Sequence, residues 1–165
     1  MKELLLLRHA KSSWADPGQN DHDRPLNSRG KRDAPRMGRL LRSEGLVPCQ
    51  IVSSTARRAR KTAKAVAKNC GYEQKVHEEA TLYHASPEQI LAVIRGLDDA
   101  AARVLVVGHN PGMEEVAEEL SASICRFPTA TLAYFRLNID SWEALSPTSQ
   151  TEFVGLWRPK ELPRD

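Results

Sequence analysis

The tripeptide Arg8-His9-Ala10 directly follows the apolar run Leu4-Leu5-Leu6-Leu7, so a cation and an imidazole stand at the end of what reads as a strand covered on both faces. Open α/β sheets bind ligands in the crevice outside the carboxyl ends of their strands. An arginine there offers a planar fork of donors that matches phosphate oxygens, and a neutral imidazole can attack phosphorus near pH 7 without a strong base. Taken alone, the pair has an ordinary alternative: two exposed polar residues where a strand enters a loop. Two further clusters give it company. Ser53-Ser54-Thr55 leads into a basic run from Arg57, and Gly108-His109-Asn110-Pro111 ends a second strongly apolar run, Val104-Leu105-Val106-Val107.

Helical geometry separates one arginine from the basic run. At 100° per residue, Arg57, Arg60, Lys61, Lys64 and Lys68 fall in one sector, a solvated stripe that serves solubility or weak attraction for anionic protein partners. Arg58 projects off that stripe, beside Thr62 and Ala65 and next to the apolar face made by Ala59, Ala63 and Val66. An arginine bordering the core needs a partner, and a structural salt bridge and a bound phosphate are equal candidates. In the third cluster, Gly108 permits a sharp turn, and Pro111 at a helix start leaves backbone N–H groups around Asn110 and Gly112 to face an anion. His109 sits at that lip, where the alternative is a histidine satisfied within the turn.

The elements that must position these clusters alternate along the chain. Strands are predicted over 3–7, 50–53 and 103–108, a weak one from Val76, and two more over 131–138 and 152–158 that pair antiparallel near one edge. Between them, a helix opens with Asn27 as N-cap, shows Ala34, Met37, Gly38 and Leu41 on one face and ends near Gly45. Pro35 requires that helix to start late, near Asp33, or to bend. A second helix covers 56–69 before Gly71. Ser86-Pro87-Glu88-Gln89 opens a third to about Leu97, and a fourth carries Met113, Val116, Ala117 and Leu120 inward and four glutamates outward. The polar segment 11–26 is long for a connection and leaves directly from His9, as a lid would. This order predicts an α/β class, a three-layer α/β/α sandwich with a mostly parallel central sheet, in one domain over 1–165. If the strands ending at Leu7, Ser53 and Gly108 are parallel neighbours, two histidines and two arginines converge at one sheet edge.

Composition narrows the function. Net charge of +3 and only 5% aromatic residues argue against nucleic-acid binding. Cys49, Cys70 and Cys125 are an odd number, far apart and without a CxxC pair, which indicates neither a disulfide framework nor zinc and fits a reducing compartment. None of them is followed six residues later by arginine, as a cysteine phosphatase requires, and there is no HExxH, calcium loop or P-loop. No apolar stretch reaches the length of a membrane span and the N-terminus lacks a signal-peptide layout, so a soluble, cytoplasmic monomer without metal or other cofactor is expected.

These motifs resemble the histidine phosphatase superfamily, whose fold is called phosphoglycerate mutase-like. Arg8-His9-Ala10 matches its RHG/RHA, Ser53-Ser54 with Arg58-Ala59 and Thr62-Ala63 matches SSxxxRAxxTA, and Gly108-His109 matches its GH motif. The stretch from Asp23-Arg24-Pro25-Leu26-Asn27 to Arg29-Gly30 is similar to the SixA branch of protein phosphohistidine phosphatases. The resemblance implies that His9 is a nucleophile that becomes phosphorylated while Arg8, Arg58 and His109 bind and polarise the phosphoryl group. Asn110 and Ser12 complete the expected phosphate-binding set. Two arginines, an imidazole able to carry charge and a helix N-terminus would supply the positive field without a metal.

The general acid decides between substrates. A phosphoester leaves as a poor alkoxide and needs a proton donor, whereas phosphohistidine leaves as imidazole, whose conjugate acid has a pKa of about 6.5. Many members of the family have an acid after the third strand or right after the second histidine; here those places hold Leu82-Tyr83-His84-Ala85, with Glu78 and Glu79 out of register, and Asn110. The expected substrate is therefore phosphohistidine in a protein. The alternatives are an ester phosphatase, acting on a small molecule or on phosphoserine or phosphothreonine with a loop acid such as Asp21, and a catalytically weak phosphate-binding module. Of the other carboxylates, Glu114 reads as a helix-dipole partner and Asp23 as a local partner of Arg24.

Overall fold

In the computed structural model, which describes residues 1–147 and 149–163, the four leucines of the first apolar run are fully buried but do not share one core. Successive side chains of a strand leave opposite faces. Leu4 and Leu6 accordingly enter one hydrophobic cluster, and Leu5 and Leu7 another. Their strand, β1 (Lys2–Arg8), is joined by β2 (Gln50–Ser53), β3 (His77–Glu78), β4 (Arg103–Gly108), β5 (Leu132–Leu137) and β6 (Thr151–Trp157) in one sheet of order β3-β2-β4-β1-β5-β6. The first four in that order are parallel, and β5 and β6 are antiparallel additions at the other edge.

Helices α1 (Ser28–Ser43) and α2 (Arg57–Cys70) cover the face of Leu5 and Leu7, burying Met37, Leu41, Ala59, Ala63 and Val66. Helices α3 (Pro87–Arg95) and α4 (Gly112–Ser121) cover the face of Leu4 and Leu6 with Ile90, Ile94, Met113 and Val116. This is the expected three-layer sandwich. Both helices of the first layer approach closely because Gly38 has no side chain: a Cβ there would lie 2.7 Å from the Val66 carbonyl oxygen.

The helix ends follow their sequence signals. Asn27 Oδ1 accepts the Gly30 N–H, Ser86 and Gln89 form a reciprocal capping box, and Gly71 closes α2 at φ 84°. Two expectations change. Helix α1 does not start late, near Asp33, but runs from Ser28 through Pro35, which leaves the Lys31 carbonyl without an intrahelical donor, on an exposed turn where water can serve instead. The third strand is only His77–Glu78, paired to Val52 and Ser53. No helix among the described residues is long and apolar enough to cross a membrane.

Candidate active site

Strand register brings the three polar clusters together. In the parallel set β2-β4-β1, Arg8 stands opposite Gly108 and Ser53 opposite Val107, so the residues that follow each strand share one edge. The rings of His9 and His109 lie 5.1 Å apart, and each residue is 6% exposed. Arg58, in the first turn of α2, is buried at 5%, as its position off the basic stripe requires.

The backbone around His9 is held by the tail of the second cluster's pattern: Thr62 Oγ1 accepts the Ala10 N–H at 3.0 Å and donates to the Arg58 carbonyl at 2.7 Å. One hydroxyl thereby ties β1's exit to α2. His9 Nδ1 lies 2.7 Å from the Ala10 carbonyl oxygen, which can only accept, so Nδ1 carries the proton and Nε2 the lone pair. Burial, with the cationic Arg58, Arg8 and Arg24 adding to it against the Ala10 bond, lowers the His9 pKa to about 3. His9 is a neutral imidazole with Nε2 basic. His109 is likewise pushed to about 3, by burial and then by His9, Arg58 and His84, with Asp21 opposing. The expectation that His109 could add a positive charge is corrected: it is neutral in the free protein, and its contribution is a hydrogen bond. Its Nε2 meets Ser54 Oγ at 2.7 Å, while its buried Nδ1 has no hydrogen-bond partner among the described residues.

Arg8 donates from Nη1 to the Phe127 carbonyl at 3.0 Å, and its buried Nε is also without a partner among the described residues. Asn110 and Ser12 both make hydrogen bonds within the protein. Asn110 Nδ2 donates to the same Phe127 carbonyl at 2.8 Å, and its Oδ1 accepts the Glu114 N–H at 3.3 Å. At the helix start, Gly112 packs closely on Ala85, where a Cβ would lie 2.4 Å from the carbonyl oxygen. Glu114 does more than face a helix dipole: its Oε1 accepts the Phe127 N–H at 2.7 Å and its charge opposes the lowering of the Arg8 pKa. The Ser12 hydroxyl accepts from Arg24 Nη2 in a very short contact.

The segment 11–26 is fastened across this edge. A bridge joins Ser12 to Leu26, Ser13 N–H donates to the Pro25 carbonyl, and His22 Nε2 meets Thr55 Oγ1 at 2.9 Å. Asp21 is its key residue. Arg58 donates from Nη2 to Asp21 Oδ2 at 3.0 Å and from Nη1 to the Asp21 carbonyl at 2.6 Å, and Arg24 Nη1 donates to Oδ1 at 3.0 Å. Tyr83 O–H donates to Oδ2 at 2.5 Å. Partial burial opposes ionisation of Asp21, but the bonds from Tyr83, Arg58 and Arg24 outweigh it and hold the carboxyl well below the usual carboxylate range. The local Asp23–Arg24 pair is not formed: Arg24 turns to Asp21 and Ser12, while Asp23 binds Asn20 and His22.

Thus Arg8, His9, Arg58 and His109 converge, and Asp21, Arg24, Tyr83 and His84 surround them; of these Asp21 was named from sequence only as a candidate loop acid and Arg24 only as a partner of Asp23, while Tyr83 and His84 had no role. Tyr83 packs against the exposed His84 ring, tilted by 36° with centroids 3.9 Å apart, and meets His109 edge-on at 5.5 Å. The one available signal was the spacing of Leu82-Tyr83-His84 after the third strand. Its direction depends on the turn at His84, where φ is 55°.

Comparison with known proteins fixes the family. The profile of the histidine phosphatase superfamily (branch 1) matches residues 4–84. A chain from Agrobacterium tumefaciens assigned as the phosphohistidine phosphatase SixA shares the fold at TM-score 0.81 and 30% identity, over 96% of this chain and 98% of that one. The chain belongs to the histidine phosphatase superfamily. Within it the chain stands on the SixA-like branch, and phosphatase chemistry is what that membership supports. A second chain assigned as SixA, from Nakamurella multipartitia, gives TM-score 0.82 at 29% identity over 96% of both chains. An uncharacterized chloroplastic protein of Arabidopsis thaliana is 35% identical over 170 residues, spanning 96% of this chain and 78% of the relative. The profile match ends at residue 84, so His109 enters this histidine phosphatase's site through the fold, by the pairing of β1 with β4.

Proposed function

We propose that this histidine phosphatase hydrolyses phosphohistidine in a protein substrate through a phosphoryl group carried on His9. The observation that carries the reading is the Nδ1 contact to the Ala10 carbonyl, which leaves a neutral Nε2 lone pair beside two arginines. His9 Nε2 attacks phosphorus in line, the P–N bond to the substrate imidazole breaks, and that nitrogen retains the bonding pair and takes up a proton. Water then attacks the phosphorylated His9, releasing inorganic phosphate and restoring the imidazole. Arg8 Nε and His109 Nδ1, buried without partners among the described residues, suit the equatorial oxygens, with Arg58 as the second cation. For His109 to donate from Nδ1, the Ser54 hydroxyl must donate to its Nε2, which the 2.7 Å contact allows. The positive field then comes from the two guanidiniums, and no metal is needed. Ser12 acts through Arg24, and Asn110 through the carbonyl it shares with Arg8.

Asp21 favours the nitrogen substrate. A carboxylate fastened by three donors is a poor proton source for an alkoxide leaving group, whereas imidazole leaves without strong help. The reading extends to a cytoplasmic enzyme acting as a monomer in one domain. The test compares kcat/KM for a phosphohistidine peptide, a phosphoserine peptide of the same sequence and an aryl phosphate. The phosphohistidine peptide should be preferred by about a hundredfold, the scale of one missing general acid. A preference for the serine ester would overturn the assignment and make Asp21 the acid.

A further inference from the structure

The charge of this molecule is not spread evenly. Helix α1 carries six cations and one acid and α2 six cations and no acid, while α4, across the sheet, carries four glutamates and no cation. On the basic side, a groove of about 1050 Å³ runs between α1 and the segment after β6. Arg29, Arg32, Arg36, Arg39, Arg158 and Lys160 line it against a single acid, Asp33, so it holds more positive charge than the whole chain's net of +3.

Some of these cations build the walls. Arg36 Nη2 donates to the carbonyls of Pro159, Leu162 and Pro163, and Arg158 donates to the Arg126 carbonyl and to Glu161. Arg32 and Lys160 are different: both are exposed and neither makes a hydrogen bond or ion pair among the described residues. Exposed like charges crowded on one groove repel one another and repay that cost only when an anion approaches.

One lining residue of the groove, Thr129, is next in sequence to a residue bonded to the candidate active site. Arg29 donates to Thr129 Oγ1 at 3.2 Å, and the next residue, Ala130, donates its N–H to the carbonyls of both Arg8 and His9 at 3.1 Å. Gly30, the residue after Arg29, lies against Lys11 in the segment that leaves His9, where a Cβ would fall 2.1 Å from the carbonyl oxygen. A chain whose phosphorylated residue sits over His9 therefore has this groove as the adjacent surface. The lining contains no aromatic side chain on which nucleic-acid bases could stack. Its volume is at the upper end for a small-molecule pocket, about 300–1,000 Å³.

We infer that the groove docks an acidic segment of the phosphorylated partner protein, next to the phosphorylated residue, and sets KM for that protein without entering the chemistry. The inference rests on the protein-substrate reading above. Arginine forks and a lysine suit aspartate and glutamate side chains, and such a track also speeds encounter at low salt.

The experiment uses four peptides, with phosphohistidine or phosphoserine set between acidic or neutral flanks, and a small phosphoramidate. In the full chain carrying Arg32→Glu and Lys160→Glu, kcat/KM for the acid-flanked phosphohistidine peptide should fall about tenfold or more, through KM, with the salt dependence largely lost. The neutral-flanked peptide and the phosphoramidate should stay within about twofold. The Arg32→Gln, Lys160→Gln variant should give an intermediate loss at unchanged Tm, which separates docking from misfolding. Equal losses for acidic and neutral flanks, or none, would overturn the proposal, as would an oligonucleotide that competes as strongly as an unphosphorylated acidic peptide. If phosphoserine is the better phosphorylated residue, the nitrogen assignment fails alone, and the flank effect is then read on that pair.

Discussion

Replacing Asp21 by Asn keeps size and an acceptor for Tyr83 while deleting the charge that Arg58 and Arg24 face at 3.0 Å each. At an effective dielectric near 20, a unit pair at about 4 Å is worth about 4 kcal/mol, but Asp21's side chain is 38% exposed and solvent reduces this to about 1 kcal/mol for each arginine. Arg58 keeps its place through the 2.6 Å bond to the Asp21 backbone carbonyl and its burial in the first turn of α2. The freed guanidinium should then hold a phosphoryl group more firmly, because an anion no longer competes for its fork. Inhibition by inorganic phosphate or vanadate should tighten about five- to tenfold, one pair's worth of free energy. Tm should fall by about 4–8 °C, from roughly 2 kcal/mol of lost pairing in a chain of this size. For a phosphohistidine peptide kcat should stay within about tenfold of the parent, since a general acid's removal costs about 10²–10⁴ and Asp21 is not one. Steady-state kinetics with oxyanion inhibition reads all of this. A fall in kcat beyond a hundredfold, with phosphate binding weakened, would refute the reasoning and show that Asp21 donates the proton or that Arg58 depends on it.

Thr62→Val removes the acceptor for a buried Ala10 N–H at nearly constant volume; an unsatisfied donor costs about 1–3 kcal/mol, so urea denaturation should show that loss, and kcat should fall with it as His9 loses its anchor. Because burial lowers the pKa of His9 and His109 from 6.5 to about 3, the unfolded chain takes up protons that the native chain refuses as pH falls. Their contribution to stability is complete above about pH 6.5 and shrinks between there and pH 3, by about 2 kcal/mol per histidine from pH 7 to 5. Nitrogen chemical shifts of His9 should show a neutral ring with Nδ1 protonated across pH 8 to 5; an inflection near 6.5 would count against it.

Much of the fold was legible because it follows from period and punctuation. Two apolar runs marked β1 and β4, alternation divided the leucines between two cores, and Asn27, Ser86 and Gly71 marked helix ends. Arg58 was separable from its stripe by helical angle alone, since one step of 100° moves a side chain from solvent toward the core. What escaped depends on contacts between residues far apart in the chain. Asp21 was named as a candidate loop acid, but its bonds to Arg58 and Tyr83 span 37 and 62 residues, and nothing local points to them. The same holds for Arg24, whose neighbour Asp23 suggested a pair that the turn geometry gives to Asp21 instead. The neutral state of His109 follows from its desolvation beside His9, which no linear pattern encodes. Pro35 does not delay the start of α1, because propensity at one residue yields to the packing of a whole helix face.

The central claim is that His9 Nε2 takes the phosphoryl group. Rapid quenching of the full chain in alkali during turnover of a phosphohistidine peptide, followed by mass spectrometry, should find one acid-labile phosphoryl group per chain on His9. The His9→Ala variant should form none and should lose turnover while still binding phosphate. Turnover near the parental rate in that variant would contradict the claim.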